Sequence, residues 1–318
     1  MNTKIATLIT ISLIILNLVF CTKTDSEHDK KEIKDIPLEK LKAKFPFKGK
    51  IVFQSDMDGD NEIYLLTNKG LKKLTNNSWN DEYPKWSPDG KKIAFTANPK
   101  GSYDIFMMNE DGSEITQITS TKENAIEHAW FPDGKYLAFT LERRKAIFRS
   151  YTLWMIDLKS GKKKRLIPQY KGSTALPNFS PIEPLMGLTG KRTVGWDVAV
   201  YDLQKKEVKF LTEGGKACRP SFSRNGKNIA YVSSEADGKG DIWVMNPDGS
   251  EKKKITERDE TYDYFPSWSS DGKYIVFSSS KSHYPHQGKW SLFLVKVKTK
   301  KIIHLFDSPG RDVFPDWY

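Results

Sequence analysis

Cysteine is nearly absent: Cys21 and Cys218 are the only two in 318 residues. A disulfide-stapled fold is therefore excluded, and stability must come from packing. Histidine is also scarce, with five in the chain, so a site built from several converging imidazoles is not on offer. No Gly-x-Ser-x-Gly elbow occurs, which removes the nucleophile expected of an α/β-hydrolase. Acid is in deficit, 40 Asp and Glu against 51 Lys and Arg, for a formal net charge of +11. Beyond residue 20 there is no apolar run long enough for a membrane-spanning helix,.

What is present first is an apolar leader. Lys4 is followed by an uncharged stretch from Ile5 to Phe20, short for a spanning helix and suited to a signal peptide. Leu18-Val-Phe-Cys21 follows and resembles the lipobox of bacterial lipoproteins, although Phe20 is larger than that pattern normally holds. The resemblance implies residues 1–21 as a lipoprotein signal peptide with Cys21 lipidated. The alternative is an uncleaved anchor with an incidental cysteine. Residues 22–46 are polar and charged and read as a flexible tether, reaching roughly 25–30 Å as a random coil. An exported chain makes nucleic acid an improbable partner despite the basic balance, and no motif calls for a cofactor.

From about residue 47 the chain repeats. Pro84-Lys-Trp-Ser-Pro-Asp-Gly-Lys-Lys-Ile-Ala-Phe95 returns around Trp130, Phe222 and Trp268, in decayed form at Phe179, and truncated at Trp317. The spacing of these aromatics, about 43 to 49 residues, suits four-stranded propeller blades. Five complete blades follow one another after residue 81. Residues 49–75 supply strands two to four of a sixth, and Phe314-Pro-Asp-Trp317 supplies its missing first strand. The expected fold is all-β, a six-bladed β-propeller over 47–318 closed by the C-terminal strand.

Pro-x-Trp-Ser-Pro-Asp-Gly-Lys followed by Ile-Ala-Phe, with third strands such as Asp104-Ile-Phe-Met-Met108 and Asp241-Ile-Trp-Val-Met245, resembles the propeller domain of the TolB family. That resemblance implies a bacterial envelope protein that binds other proteins. The chain departs from TolB in having a tether where TolB has a globular N-terminal domain.

Candidate sites follow from the geometry of a meander. Tight Pro-Asp-Gly turns lie on one face; the variable loops lie on the other, where binding usually resides. Five residues before each anchor stand Asp81, Ala125, Thr174, Ala217, Asp263 and Asp312. The three aspartates fall on adjacent blades. They could form an arc at the channel mouth that attracts a cation or a basic peptide segment, or simply cap strand ends. His128 lies near an inner strand. Phe148, Tyr151, His283, Tyr284, His286 and Trp290 sit in long loops and are candidate contacts. Asp56-Met-Asp-Gly-Asp-Asn-Glu62 lacks the distal glutamate of a calcium loop and reads as a turn. Lysines recur at the start of each outermost strand, either protecting sheet edges or forming a basic rim. The expectation is a monomeric, non-enzymatic, membrane-tethered scaffold for envelope proteins. The alternative is a propeller that binds or cleaves a glycan or other small molecule at the channel mouth.

Overall fold

The computed structural model describes residues 42–44, 47–145, 148–192 and 194–318. The signal segment, Cys21 and the tether up to residue 41 lie outside the described residues. The rest forms six four-stranded antiparallel sheets, with no helix among the described residues. Blades 1 to 5 span 81–117, 124–165, 174–210, 217–254 and 262–306; blade 6 joins Val313–Trp317 to the strands between 51 and 73.

The second strands are apolar on both faces. Ile51–Ser55 and Ile229–Ser233 are buried at every residue, because each sheet is covered on both sides by its neighbours. The hydrophobic cores accordingly lie between blades. Val52 and Ile63 of blade 6 pack with Trp86 and Phe95 of blade 1. Ala94 and Ile105 of blade 1 pack with Trp130, Phe139 and Ile156 of blade 2. A blade removed from the ring would expose two such faces.

Local chemistry fixes each blade. After the first strand, Gly90 N–H donates to Ser87 O at 2.9 Å, Ser87 Oγ donates to Asp89 at 2.6 Å, and Gly90 takes φ 68°, a value glycine accepts freely. A buried acid at the head of the third strand is held by a threonine after the fourth. Thr75 Oγ1 donates to Glu62 (2.6 Å), Thr119 to Asp104 (2.8 Å) and Thr212 to Asp197 (3.0 Å). The same hydroxyls accept from Ile63, Ile105 and Val198 N–H. The phased lysines also join blades: Lys72 and Lys209 each donate at 2.9 Å to the turn carbonyl of the next blade, at Asp111 and Asp248.

Ring closure is as the sequence requires. Ile51 pairs with Trp317 and Gln54 with Val313, and Tyr318 exchanges backbone hydrogen bonds with Lys50 at 2.7 and 2.8 Å. Trp317 is buried, donates through Nε1 to Lys48 O at 2.8 Å, and meets Phe47 edge-on at 5.6 Å. Trp317→Ala is expected to cost about 3–5 kcal/mol, read as a lowered urea midpoint with an unchanged denaturant slope.

Candidate functional site

The inner strands carry a feature that the repeat alignment did not single out. In every blade the register slips just before the anchoring aromatic, so that two residues oppose one. The first residue of each bulge is left-handed and none is glycine: Tyr83 (φ 55°), Glu127 (49°), Leu176 (56°), Arg219 (59°), Phe265 (61°) and Phe314 (54°). Such backbone is costly for bulky side chains and persists where the surroundings hold it in place. The second residue is proline in five blades, Pro84, Pro177, Pro220, Pro266 and Pro315. Proline fits there because a bulge on an edge strand leaves no ladder bond for an N–H to make. Side chains of the preceding blade take up bulge N–H groups: Thr140 Oγ1 accepts from Leu176 N–H (3.2 Å) and Thr189 Oγ1 from Arg219 N–H (3.0 Å).

These six residues line the throat of the central channel, a space of about 70 Å³. Tyr83, Phe314 and Phe265 come from three consecutive blades and stack in series, with centroids 4.1 and 3.9 Å apart. Arg219 lies over Phe265 at 4.5 Å and Phe314 at 5.5 Å, within cation–π range. From Phe265 the aromatic run continues through Trp290 and Tyr264, then Tyr262, to His283, Tyr284 and His286 in the blade 5 loop. Toward the tight-turn face the channel opens into about 320 Å³, bordered by Trp86, Trp130, Trp268, Lys85, Arg224 and Asp316. Lys85 pairs with Asp316 at 3.0 Å, and Asp316 also accepts from Trp86 N–H at 2.9 Å.

The predicted aspartates are placed differently from an open arc. Asp81, Asp263 and Asp312 are all buried, and none lines either channel space. Asp81 accepts from Asn77 at 2.6 Å. Asp263 accepts from Ser279 (2.5 Å), Arg258 (2.9 Å) and Thr261 (3.3 Å). Asp312 accepts from Ser308 N–H and Oγ and from Ser55 Oγ, at 2.9, 2.6 and 2.8 Å. Each thus ties the entry of an inner strand to a neighbouring strand or loop. Burial pushes the Asp312 carboxyl up to about 7, and burial beside Glu62 does the same to Asp81.

His128 is buried at the bulge position that holds proline elsewhere, with Nδ1 3.3 Å from Thr96 Oγ1, and burial lowers its pKa to about 4. Trp290 is fully buried and donates to Tyr284 O and Gln287 O at 3.1 and 2.9 Å; it anchors the loop instead of facing solvent. His283 and Tyr284 are half-buried and His286 is exposed. Tyr151 is half-buried, edge-on to Trp196 at 5.7 Å. Phe148 is 73% exposed. The Asp56–Glu62 segment is a turn, with Asp56 accepting from Arg311 N–H at 2.6 Å. Among the described residues no group of three His, Cys, Asp or Glu could hold a metal ion.

Asp312 generates a pH test. In the unfolded chain its carboxyl titrates near 4; in the fold it keeps its proton to about pH 7. The folded state therefore binds that proton more tightly, and the resulting stability, present below about pH 4, is lost as pH rises through 7. Asp312→Asn is expected to flatten the fall in unfolding free energy between pH 5 and 8, measured by urea titration at each pH.

Comparison with known proteins followed from this geometry. The family model described as the TolB beta propeller domain matches residues 30–152 and 147–286. A Tol-Pal system protein TolB of Francisella tularensis subsp. mediasiatica is 27% identical over 230 residues, covering 69% of this chain and 51% of that protein. An uncharacterized protein of Agrobacterium fabrum is 26% identical over 223 residues, 69% of this chain and 72% of its own length. The crystal structure of TolB from Acinetobacter baumannii superposes with a TM-score of 0.71 at 21% identity, over 86% of this chain and 67% of that one. The chain thus spans about half the length of the Francisella TolB.

Proposed function

The chain belongs to the TolB β-propeller family, and we propose that it is a non-enzymatic, membrane-tethered scaffold that binds protein partners in the bacterial cell envelope. Tethering would run through residues 22–46 from a lipidated Cys21. The observation that carries the reading is the throat ring. Six strained backbone positions present Tyr83, Glu127, Leu176, Arg219, Phe265 and Phe314 at one level of the channel, and strain of this kind clusters at ligand clamps. Stacked aromatics and a planar guanidinium are the side chains that most often anchor protein interfaces. At about 70 Å³ the throat suits one inserted side chain better than a small-molecule substrate, since pockets for such ligands run to about 300–1,000 Å³. A partner segment entering from the loop face would meet the aromatic run from His286 to Phe265, and Glu127 would receive a basic side chain.

The test is cross-linking of the full chain in intact envelopes, beside Arg219→Gly. Glycine accepts φ 59° and relieves about 1 kcal/mol of strain, so the variant is expected to keep its melting temperature. A specific protein is expected with the native chain and at least tenfold less with the variant. Equal capture by both would remove the throat from the site. A sugar that raised the melting temperature of the native chain, with no protein captured, would replace this reading with the glycan one.

A further inference from the structure

The longest hairpin of the propeller lies outside the channel. In blade 2, Tyr136–Lys145 pairs with Phe148–Asp157 through an unbroken register that ends at Phe148↔Lys145. The ladder runs five residues past Thr140. In blades 3 to 6 it runs one past the equivalent residue, to Gly190, Ser233, Ser279 and Ser55. At about 3.3 Å per residue the four extra rungs project about 13 Å beyond the loops of those blades.

The two faces of this arm differ in chemistry. Residues directly opposite share a face, so Glu142, Arg144, Arg149 and Tyr151 lie on one side. There the buried Glu142 carboxylate receives Arg144 at 3.1 Å, Arg149 at 3.4 Å and the Tyr151 hydroxyl at 3.3 Å. Tyr151 in turn rests on Trp196 of blade 3, which braces the arm. The other side carries Phe148, Lys145 and Arg143, all exposed. Beside it, the blade 3 loop presents exposed Val194 next to exposed Arg192, and Val194 is 71% exposed. Two of the most exposed large apolar side chains in the described residues thus stand at the tips of adjacent loops, each among cations.

We propose that this arm is a contact for anionic lipid headgroups, with Phe148 entering the interface and Lys145 and Arg143 meeting the headgroup charge. A paired backbone up to the Phe148↔Lys145 rung enters that region without unmet amides. Cations beside an apolar tip match an anionic interface, each contributing roughly fivefold to partitioning. The chain also enters the propeller at the rim of this face. Lys44 N–H donates to Leu305 O at 2.6 Å, beside the end of the Lys301–Phe306 strand, and the apolar leader lies upstream of that point.

The test must read the arm and not the leader. Phe148→Trp in the full chain is mixed with vesicles of phosphatidylcholine, with and without 30% phosphatidylglycerol, carrying brominated acyl chains, and native-chain fluorescence is subtracted. A blue shift and quenching are expected on the anionic vesicles. Adding Arg143→Glu and Lys145→Glu should raise the lipid needed for half-maximal quenching at least tenfold. Absent quenching on anionic vesicles would overturn the proposal and leave the arm to a protein partner. Equal quenching on neutral vesicles would overturn the role given to the cations. Neither outcome bears on capture through the throat.

Discussion

Everything in this fold depends on the fact that a four-stranded sheet with two apolar faces cannot stand alone. Each core is shared by two blades, as with Phe95 against Ile63 and Phe139 against Ile105. Six such interfaces close only if the last blade meets the first, and one short strand, Val313–Trp317, completes that circle. Hydrogen bonds reinforce it around the axis: Asp316 to Trp86, Asn178 to Phe222 and Ser267 to Trp317 each link one inner strand to the next. The terminus is therefore the lock of the ring, and the blades between depend on it.

Most of this architecture was legible in the sequence. The anchors Trp86 to Trp317 set the period, and the orphan strands at both ends set the closure. Hairpin turns were legible because Ser-Pro-Asp-Gly has one economical geometry. The site was less legible, for a physical reason. The aspartates at the fifth position before each anchor looked like a mouth because the strand starts there, yet a strand start buried beneath loops calls for capping, and Asp312 serves Ser55 and Ser308. The throat residues stand two positions nearer the anchor, where the repeat shows no consensus: Tyr, Glu, Leu, Arg, Phe and Phe. Periodicity finds what is constant, and the bulge holds the backbone constant while its side chain varies. The prolines that follow in five blades were the available signal, since proline inside a strand marks a bulge or an edge.

Trp290 illustrates the same limit from the other side. Its loop is long and aromatic, which suggested a contact surface, but the indole is consumed in holding the loop to Tyr264 and to its own carbonyls. Phe148 has a similar sequence setting and the opposite fate. What separates them is ladder length: the blade 2 strands continue pairing beyond the neighbouring loops, so nothing remains to cover the tip.

The left-handed bulge has a consequence for how such a ring can change. Because the blade cores lie between sheets, the side chain at each bulge is largely released from the packing that governs its neighbours. Its backbone conformation is already unfavourable for any residue but glycine, so exchanging one bulky residue for another adds little further penalty. The six positions act as interchangeable sockets on a fixed chassis. A propeller of this kind can be retargeted by single substitutions at the throat while its blades, turns and closure remain untouched.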